Sequence, residues 1–485
     1  MKAVRLLFIL CALWAGLLIP ASAAEFDGYV VEIDVPVRLL EASDPDFPEM
    51  EEIYAPAGLY QASDLSTVNA LRAWGTLVHA EPNYIVTLDD VPPLYDDEDV
   101  FLLDAGTSEA QWYTEPLEVN WAHEQGFDGH GVRVGVVDSG LFAGHEDFEG
   151  VKILEGANYC AKEGEAARTD ISDSYGHGTF VSGLIAAAYN GKGIAGLAPA
   201  VELVPLKCFE GRNGSIANIA SAIYDSVDKW HCQVVNLSLG IEKDSVVLRK
   251  AIEYADKAGV VMVAAAGNLL SGEHDPDGDP LNYPAAYPQV IGVGAVDSTQ
   301  TVSGFSYRNT SVEICAPGQN LRGLSCQNPA GYVPGYGTSY ASPLVTAAVA
   351  LTLSVRPDFD AATIRNLLKY TVRDLGSSGY DTSYGYGLLH VGHLLSAAAG
   401  DFSHQATLLR TDAALKDATS PLLLLASYDT NGALLSIQDV FTDDVDSSQN
   451  PDAVTWKFFI IDGETFCPLK TAGTLKQASA GAKET

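Results

Sequence analysis

From about residue 130 to residue 300 the apolar positions come in short unbroken runs, each closed by turn chemistry. The runs are "VRVGVVDSG" (132–140), "VELVPLKCF" (201–209), "CQVVNLSLG" (232–240), "VVMVAAAGN" (260–268) and "VIGVGAVDS" (290–298). Runs of this length without polar alternation predict strands buried on both faces. Between them lie stretches with helical character: "FVSGLIAAAY" (180–189), "IANIASAIYDSVDKW" (216–230) and "VLRKAIEYADKAG" (247–259). This alternation predicts an α/β domain, a mostly parallel sheet with helices on both faces, over residues 105–400. In such sheets ligands bind beyond the carboxyl ends of the strands. Asp138, Ser238 and Asn268 stand at such ends.

The pattern changes on either side. Residues 24–104 predict a small α+β unit. "YVVEIDVPV" is a strand, "STVNALRAWG" a helix ended by Gly75, and "TLVHAEPNYIVTL" a strand pair about Pro82. The unit closes in the acidic, proline-containing run "DDVPPLYDDEDV", which reads as an exposed linker. Residues 401–485 predict a small all-β module. It has a hairpin at "DTNG", a further strand "AVTWKFFIID" and a disordered polar tail, "KQASAGAKET". At the N-terminus a basic "MKAVR" precedes the apolar "LLFILCALWAGLLIP" and the small-residue "ASAA". Residues 1–23 are therefore expected to be a secretory signal peptide of the bacterial type, with a retained anchor as the alternative. No later segment has enough uninterrupted apolar residues to span a bilayer, so a soluble, exported mature protein without a membrane anchor is expected.

The formal net charge of −35 argues against a nucleic-acid partner and against an anionic membrane surface. Of seven cysteines, Cys11 leaves with the signal. Cys315 and Cys326 bracket a short loop and are the favoured bridge, with free buried thiols as the alternative. No cysteine or histidine cluster has zinc spacing.

"GYGTSYASPLV" (335–345) carries four hydroxyls in one short run. A serine hydroxyl becomes a useful nucleophile only when a base takes its proton and a third group orients the base. "YGHGTFVSG" puts His177 between glycines at a helix start, and "VVDSG" puts Asp138 at a strand end. "GTSYASP" puts Ser339 at another helix start, with Pro343 expected in its first turn. Each motif alone has an ordinary structural reading as a turn, a cap or a core strand. Together, in the order Asp, His, Ser, the segments resemble the catalytic domain of the subtilisin-like serine peptidases, the subtilases. "NLSLG" and "AAAGN" resemble two further segments of that family. Tyr340 departs from the commoner Met and leaves the chemistry intact.

The resemblance implies a secreted serine endopeptidase acting on proteins or peptides. Asp138, His177 and Ser339 would form the triad, and Asn268 would donate to the oxyanion. Ser238, Leu239 and Gly240 would line the substrate, and Asn282 in "LNYPAAYP" would lie near the floor of the first pocket. An apolar or medium-sized residue before the cut is the expectation there, with basic substrates favoured by the acidic loops as the alternative. The 24–104 unit resembles the family's self-cleaved inhibitory propeptide. Structural calcium is implied at Asp147 in "GHED" and Asn190 in "AYNGKGIAG", although Lys192 would weaken that site. The acidic "EHDPDGDP" (273–280) resembles a calcium loop only loosely, and a solvated turn is preferred. The β module would aid folding, surface attachment or substrate docking. Asn236 reads as active-site wall, and Ser342 as local helix-start bonding. The competing classes are a catalytically inactive surface or adhesion protein on the same scaffold, and a lipase or esterase. The intact triad argues against the first, and the absent G-x-S-x-G against the second.

Overall fold

The structure, a computed structural model, describes residues 26–34, 50–88, 111–162, 164–269, 274–400, 421–428, 434–439, 455–462 and 468–476. The expected signal peptide, the acidic linker, the Asn431–Gly432 turn and the tail beyond 476 lie outside these residues. The chain divides into two compact units, one ending at Ile85 and one beginning at Val86.

In the first unit, strands β1 (Phe26–Ile33), β2 (Glu51–Tyr54), β3 (Leu59–Ala62) and β4 (Leu77–Thr87) form an antiparallel sheet in the order β2-β3-β1-β4. Helix α1 (Leu65–Trp74) begins where the Asp64 carboxylate accepts from Thr67 N–H and ends at Gly75, whose φ is +76°. Its Val68 and Leu71 pack against Val31, Ile33 and Tyr60. The expected strand pair about Pro82 is instead the single strand β4. Pro82 lies opposite Tyr29 beside a register shift between Phe26 and Tyr29, a position that tolerates a residue without an N–H.

The second unit is built on a parallel sheet. Its strands are β5 (Arg133–Asp138), β6 (Lys152–Ile153), β7 (Ala157–Asn158), β8 (Glu202–Lys207), β11 (Val234–Leu237), β12 (Val261–Ala265), β13 (Val290–Val296) and β14 (Ile314–Pro317). The order is β14-β13-β12-β11-β5-β8-β6, with β7 also on β8. A short hairpin, β9 (Phe209–Glu210) and β10 (Asn213–Ser215), follows β8. Every residue of β11 to β14 is buried, as their apolar sequence requires. Helices α2 (Val119–Glu124), α3 (His177–Ala186), α4 (Ile216–Asp228) and α5 (Val246–Lys257) come next in the chain. Ser215 and Ser245 cap α4 and α5 by accepting from Asn218 and Leu248 N–H.

Helix α6 (Thr338–Val355) runs through the core. It is long and apolar enough to cross a membrane, contrary to the expectation that no later segment would be, but nearly all of it is buried inside the unit. Ala347, Ala348 and Ala350 let it approach α3 and the sheet closely, while Leu344, Val345 and Leu351 are fully buried. Each such larger side chain contributes roughly 1.5–3 kcal/mol by burial. Two further helices, α7 (Ala361–Thr371) and α8 (Val391–Ala399), close the core. Strands β15 (Leu321–Leu324) and β16 (Tyr332–Gly335) pair before α6. At the C-terminal end β17 (Pro421–Tyr428), β18 (Leu434–Asp439), β19 (Thr455–Asp462) and β20 (Pro468–Lys476) form an antiparallel sheet in the order β18-β17-β19-β20.

The Cys315–Cys326 bridge does not form. Cys315 is buried in β14 and donates to the Ser383 carbonyl, and Cys326 lies against Gly176. Cys160, Cys208 and Cys232 are also free thiols. Burial pushes the Cys232 thiol up to about 12 and the Cys160 thiol up to about 11.

Candidate active site

Adjacent strands β5, β11 and β12 are parallel, so their carboxyl ends open on one edge of the sheet. Asp138 ends β5, Ser238 follows β11 and Asn268 follows β12 by three residues. Two helices bring the remaining groups to this edge. His177 is the first residue of α3, and Ser339 the second of α6.

Asp138 and His177 are both almost fully buried. His177 Nδ1 lies 2.8 Å from Asp138 Oδ1 and 3.0 Å from Oδ2. Ser139 N–H donates to the same Oδ1 at 2.7 Å. Burial raises the Asp138 pKa, and the imidazole and the Ser139 N–H oppose that shift. A carboxylate on Nδ1 fixes the proton there and leaves Nε2 as the basic nitrogen. Gly178 makes this approach possible. A Cβ at that position would stand 2.2 Å from the Gly140 carbonyl oxygen.

Ser339 is held from below. Its Oγ is 3.4 Å from the Ser238 carbonyl oxygen, and its own carbonyl accepts from Ser238 Oγ at 2.6 Å. Pro343 explains the second bond. It stands in the second turn of α6, not the expected first, and has no N–H to give the Ser339 carbonyl four residues back. Ser238 Oγ supplies the missing donor and also accepts from Asn236 Nδ2 at 2.8 Å. Ser342 Oγ and Thr346 Oγ1 donate to Asn236 Oδ1 at 3.0 and 2.9 Å, and Ser342 Oγ is also 3.0 Å from Ser238 Oγ. Ser342 thus bonds across elements, not locally. Asn236 is fully buried beneath the site and is not part of its wall.

Thr338 fixes the Asn268 amide. Its N–H and Oγ1 donate to Asn268 Oδ1 at 2.9 and 3.0 Å. Flipping that amide would set an NH2 against two donors, so Nδ2 is its donor end. Tyr340 lies on the other side of Ser339. Its ring centroid is 5.4 Å from that of His177 and 4.1 Å from that of Phe180. Sequence reading missed these supporting roles because each depends on a contact between distant segments.

Ser238, Leu239 and Gly240 continue from β11 and are tied to Tyr283 by the Ile241–Tyr283 backbone pair. Asn282 lies against them. A Cβ on Gly240 would meet its side-chain amide at 1.9 Å, and its Nδ2 reaches the Ala265 carbonyl at 3.4 Å. The amide therefore spans the gap between the extensions of β11 and β12.

Asp147 and Asn190 lie apart from this edge's chemistry. Asp147 is buried, and burial raises its pKa. Its carboxylate accepts from Tyr332 OH at 3.0 and 3.1 Å and from Ile194 N–H at 2.9 Å. Asn190 is exposed, and its Oδ1 accepts from Lys192 N–H within its own loop. These donors to Asp147 are neutral, and a carboxylate is the hard oxygen ligand that a divalent cation takes. No group of three His, Cys, Asp or Glu gathers for a metal among the described residues. In the acidic loop Asp279 is buried and accepts from His274, Arg308 N–H and Asp275 N–H. This carboxylate is consumed by protein donors and is not solvated, whereas Asp275 and Asp277 are exposed as the solvated turn requires.

A family model described as the subtilase family matches residues 129–387. The minor extracellular protease Epr of Bacillus subtilis (strain 168) is 32% identical over 352 residues, covering 72% of this chain and 50% of that protein. The chain thus spans about half the length of Epr. Subtilisin DY of Bacillus licheniformis is 40% identical over 279 residues, 57% of this chain and 94% of that protein. The subtilisin of Bacillus pumilus is 35% identical over 275 residues, covering 56% and 92%.

The Ser238–Ser339 bond yields a stability prediction. Ser238→Ala leaves a buried carbonyl without its donor and lowers unfolding free energy by about 1–3 kcal/mol in urea titration. Pro343→Ala restores an N–H to that carbonyl, so S238A/P343A recovers part of the loss. Equal stability of S238A and wild type contradicts the assignment.

Proposed function

The chain belongs to the subtilase family of serine peptidases, and from that premise we propose that it is a secreted endopeptidase made as a self-processed zymogen. The observation that carries the reading is the buried Asp138–His177 pair at the sheet edge that also holds Ser339 and Asn268. In this mechanism a substrate strand lies along Ser238–Gly240. Ser339 Oγ attacks the scissile carbonyl as His177 Nε2 takes its proton. Asp138 holds the imidazole and balances the imidazolium. Asn268 Nδ2 and the Ser339 N–H donate to the oxyanion. His177 then protonates the leaving amine, and water repeats the sequence on the acyl-enzyme.

Residues 1–23 are proposed as the export signal and 24–104 as the inhibitory propeptide. The compact first unit, with its own capped helix and small core, supports a segment that folds as a body of its own. The 401–485 segment is proposed as an appended β module, with cell-surface association as one use for it. Calcium is proposed as a structural ion, held by the Asp147 carboxylate with help from the Asn190 loop. When bound, it would supply charge to a buried carboxylate that otherwise has neutral donors.

The Asn282 amide narrows the specificity expectation. A side chain entering between Gly240 and Ala265 meets it early, so the proposed residue before the cut is small rather than medium-sized.

Three outcomes are expected. Purified wild-type protein cleaves casein and matures to a shorter form, while Ser339→Ala does neither. Maturation of S339A expressed alone rules out self-processing, and absence of casein cleavage by wild type favours the inactive-scaffold class. Asn282→Gly raises kcat/KM for peptides with phenylalanine before the cut by about tenfold or more relative to alanine, the scale of a few buried methylenes. An unchanged ratio removes Asn282 from the pocket. Chelation lowers the melting temperature of wild type by several degrees and leaves Asp147→Asn unmoved, since a lost ligand withdraws its binding free energy. No shift in wild type removes the calcium claim.

A further inference from the structure

We propose that Asp173, a buried carboxylate outside the Asp138–His177–Ser339 set, is a positioning residue that locks the Asp138 loop to the helix carrying His177. The proposal rests on the peptidase reading above. Asp173 stands four residues before His177 and is buried. Its Oδ1 accepts from Ser139 Oγ at 2.9 Å, Tyr175 N–H at 3.0 Å and Gly176 N–H at 2.8 Å. Its Oδ2 accepts from Thr179 N–H at 2.9 Å and Thr179 Oγ1 at 2.6 Å.

These bonds form a closed circuit. Ser139 Oγ, which donates to Asp173, accepts from Gly178 N–H at 2.9 Å. Ser139 N–H donates to Asp138 Oδ1. Thr179 Oγ1, which also donates to Asp173, accepts from Phe142 N–H at 3.0 Å. The backbone N–H groups on both sides of His177, from Gly176 and Gly178, are therefore committed to the circuit. Its other side is the Asp138–Phe142 loop. A change in Asp173 would move His177 relative to Asp138, which two bonds of 2.8 and 3.0 Å define.

A helix start does not require this residue. A neutral Ser, Thr or Asn caps one, and burying a second carboxylate near Asp138 is costly, since it raises the Asp138 pKa. The five donors offset that cost. What a carboxylate adds is negative potential at the start of the helix whose imidazole becomes cationic in the transition state, where such a field acts most. The other titratable groups on this side are Asp138, the Cys326 thiol against Gly176, and Lys207. Lys207 Nζ is taken by the Ser172 carbonyl and by Glu210 at 3.4 Å. The Tyr340 ring covers the imidazole from α6.

The test compares Asp173→Asn, Ser139→Ala and their combination in the mature enzyme. Asp173→Asn is expected to lower kcat by about ten- to a hundredfold with KM little changed, the scale of a small misplacement of reacting groups. The acid limb of kcat/KM against pH moves to lower pH, because a negative charge near the imidazolium is lost. Ser139→Ala lowers kcat in the same direction with less movement of that limb, because the carboxylate remains. The double variant is no worse than D173N alone, since the two act through one another. In enzyme without substrate, the low-field proton resonance of His177 Nδ1 shifts in both single variants. That reading needs no turnover, so it separates failure of this proposal from failure of the peptidase reading. If D173N does not fold, S139A decides the matter. Wild-type kcat, pH limb and Nδ1 resonance in S139A overturn the proposal, as does strict additivity of the two substitutions.

Discussion

The arrangement depends on one buried hydrogen bond, from His177 Nδ1 to Asp138 at the end of β5. A carboxylate almost without solvent is tolerable only where donors converge on it. Here one donor is the next residue in the chain, and the other comes from a helix 39 residues away in sequence. That requirement fixes how closely α3 must approach the β5 turn, and it explains why Gly178 has no side chain there. Once α3 is held, Phe180 and Tyr340 set the distance to α6, and α6 carries Ser339.

The support of Ser339 follows from a backbone defect. Pro343 interrupts the hydrogen-bond ladder of α6 four residues after Ser339. The freed carbonyl is taken by Ser238, and Ser238 is in turn held by Asn236, beneath which Ser342 and Thr346 are satisfied. A core helix and a sheet strand are thus joined by polar bonds in the middle of an apolar unit. Such a network specifies one register between the two elements, because any slip leaves several buried groups unpaired. The same segment that holds Ser339 continues into Gly240, where Asn282 bridges to Ala265.

Much of this was legible in the chain. The unbroken apolar runs gave the parallel strands because strands covered on both faces have no polar side to show. The placement of Asp138, His177, Ser339 and Asn268 at one edge was legible because each sits beside small residues at an element boundary, while their chemical roles rest on the resemblance. Pro82 and Pro343 were misread for a common reason. A proline marks a missing donor, but whether a strand bulges, a helix continues or a distant hydroxyl compensates is decided by neighbours. Ser342, Asn236 and Asp173 were illegible in their roles, since their partners lie tens of residues away or differ from a plain cap only in charge. The Cys315–Cys326 pairing failed because nearness in sequence says nothing about where two side chains go: Cys315 is buried in β14, while Cys326 lies past β15 against Gly176. Asp279 was expected in water and is buried, because the Arg308 N–H from a distant segment joins His274 and the Asp275 N–H on its carboxylate.

The central claim is that His177, oriented by Asp138, makes Ser339 the one activated hydroxyl in "GYGTSYASPLV". Covalent labelling with a serine-directed phosphonate, mapped by peptide mass spectrometry, tests it most directly. The account predicts a single adduct on Ser339 in the wild type, with labelling slowed at acid pH and lost in His177→Ala. An adduct on Thr338, Tyr340 or Ser342, or labelling of Ser339 at an undiminished rate in His177→Ala, would contradict it.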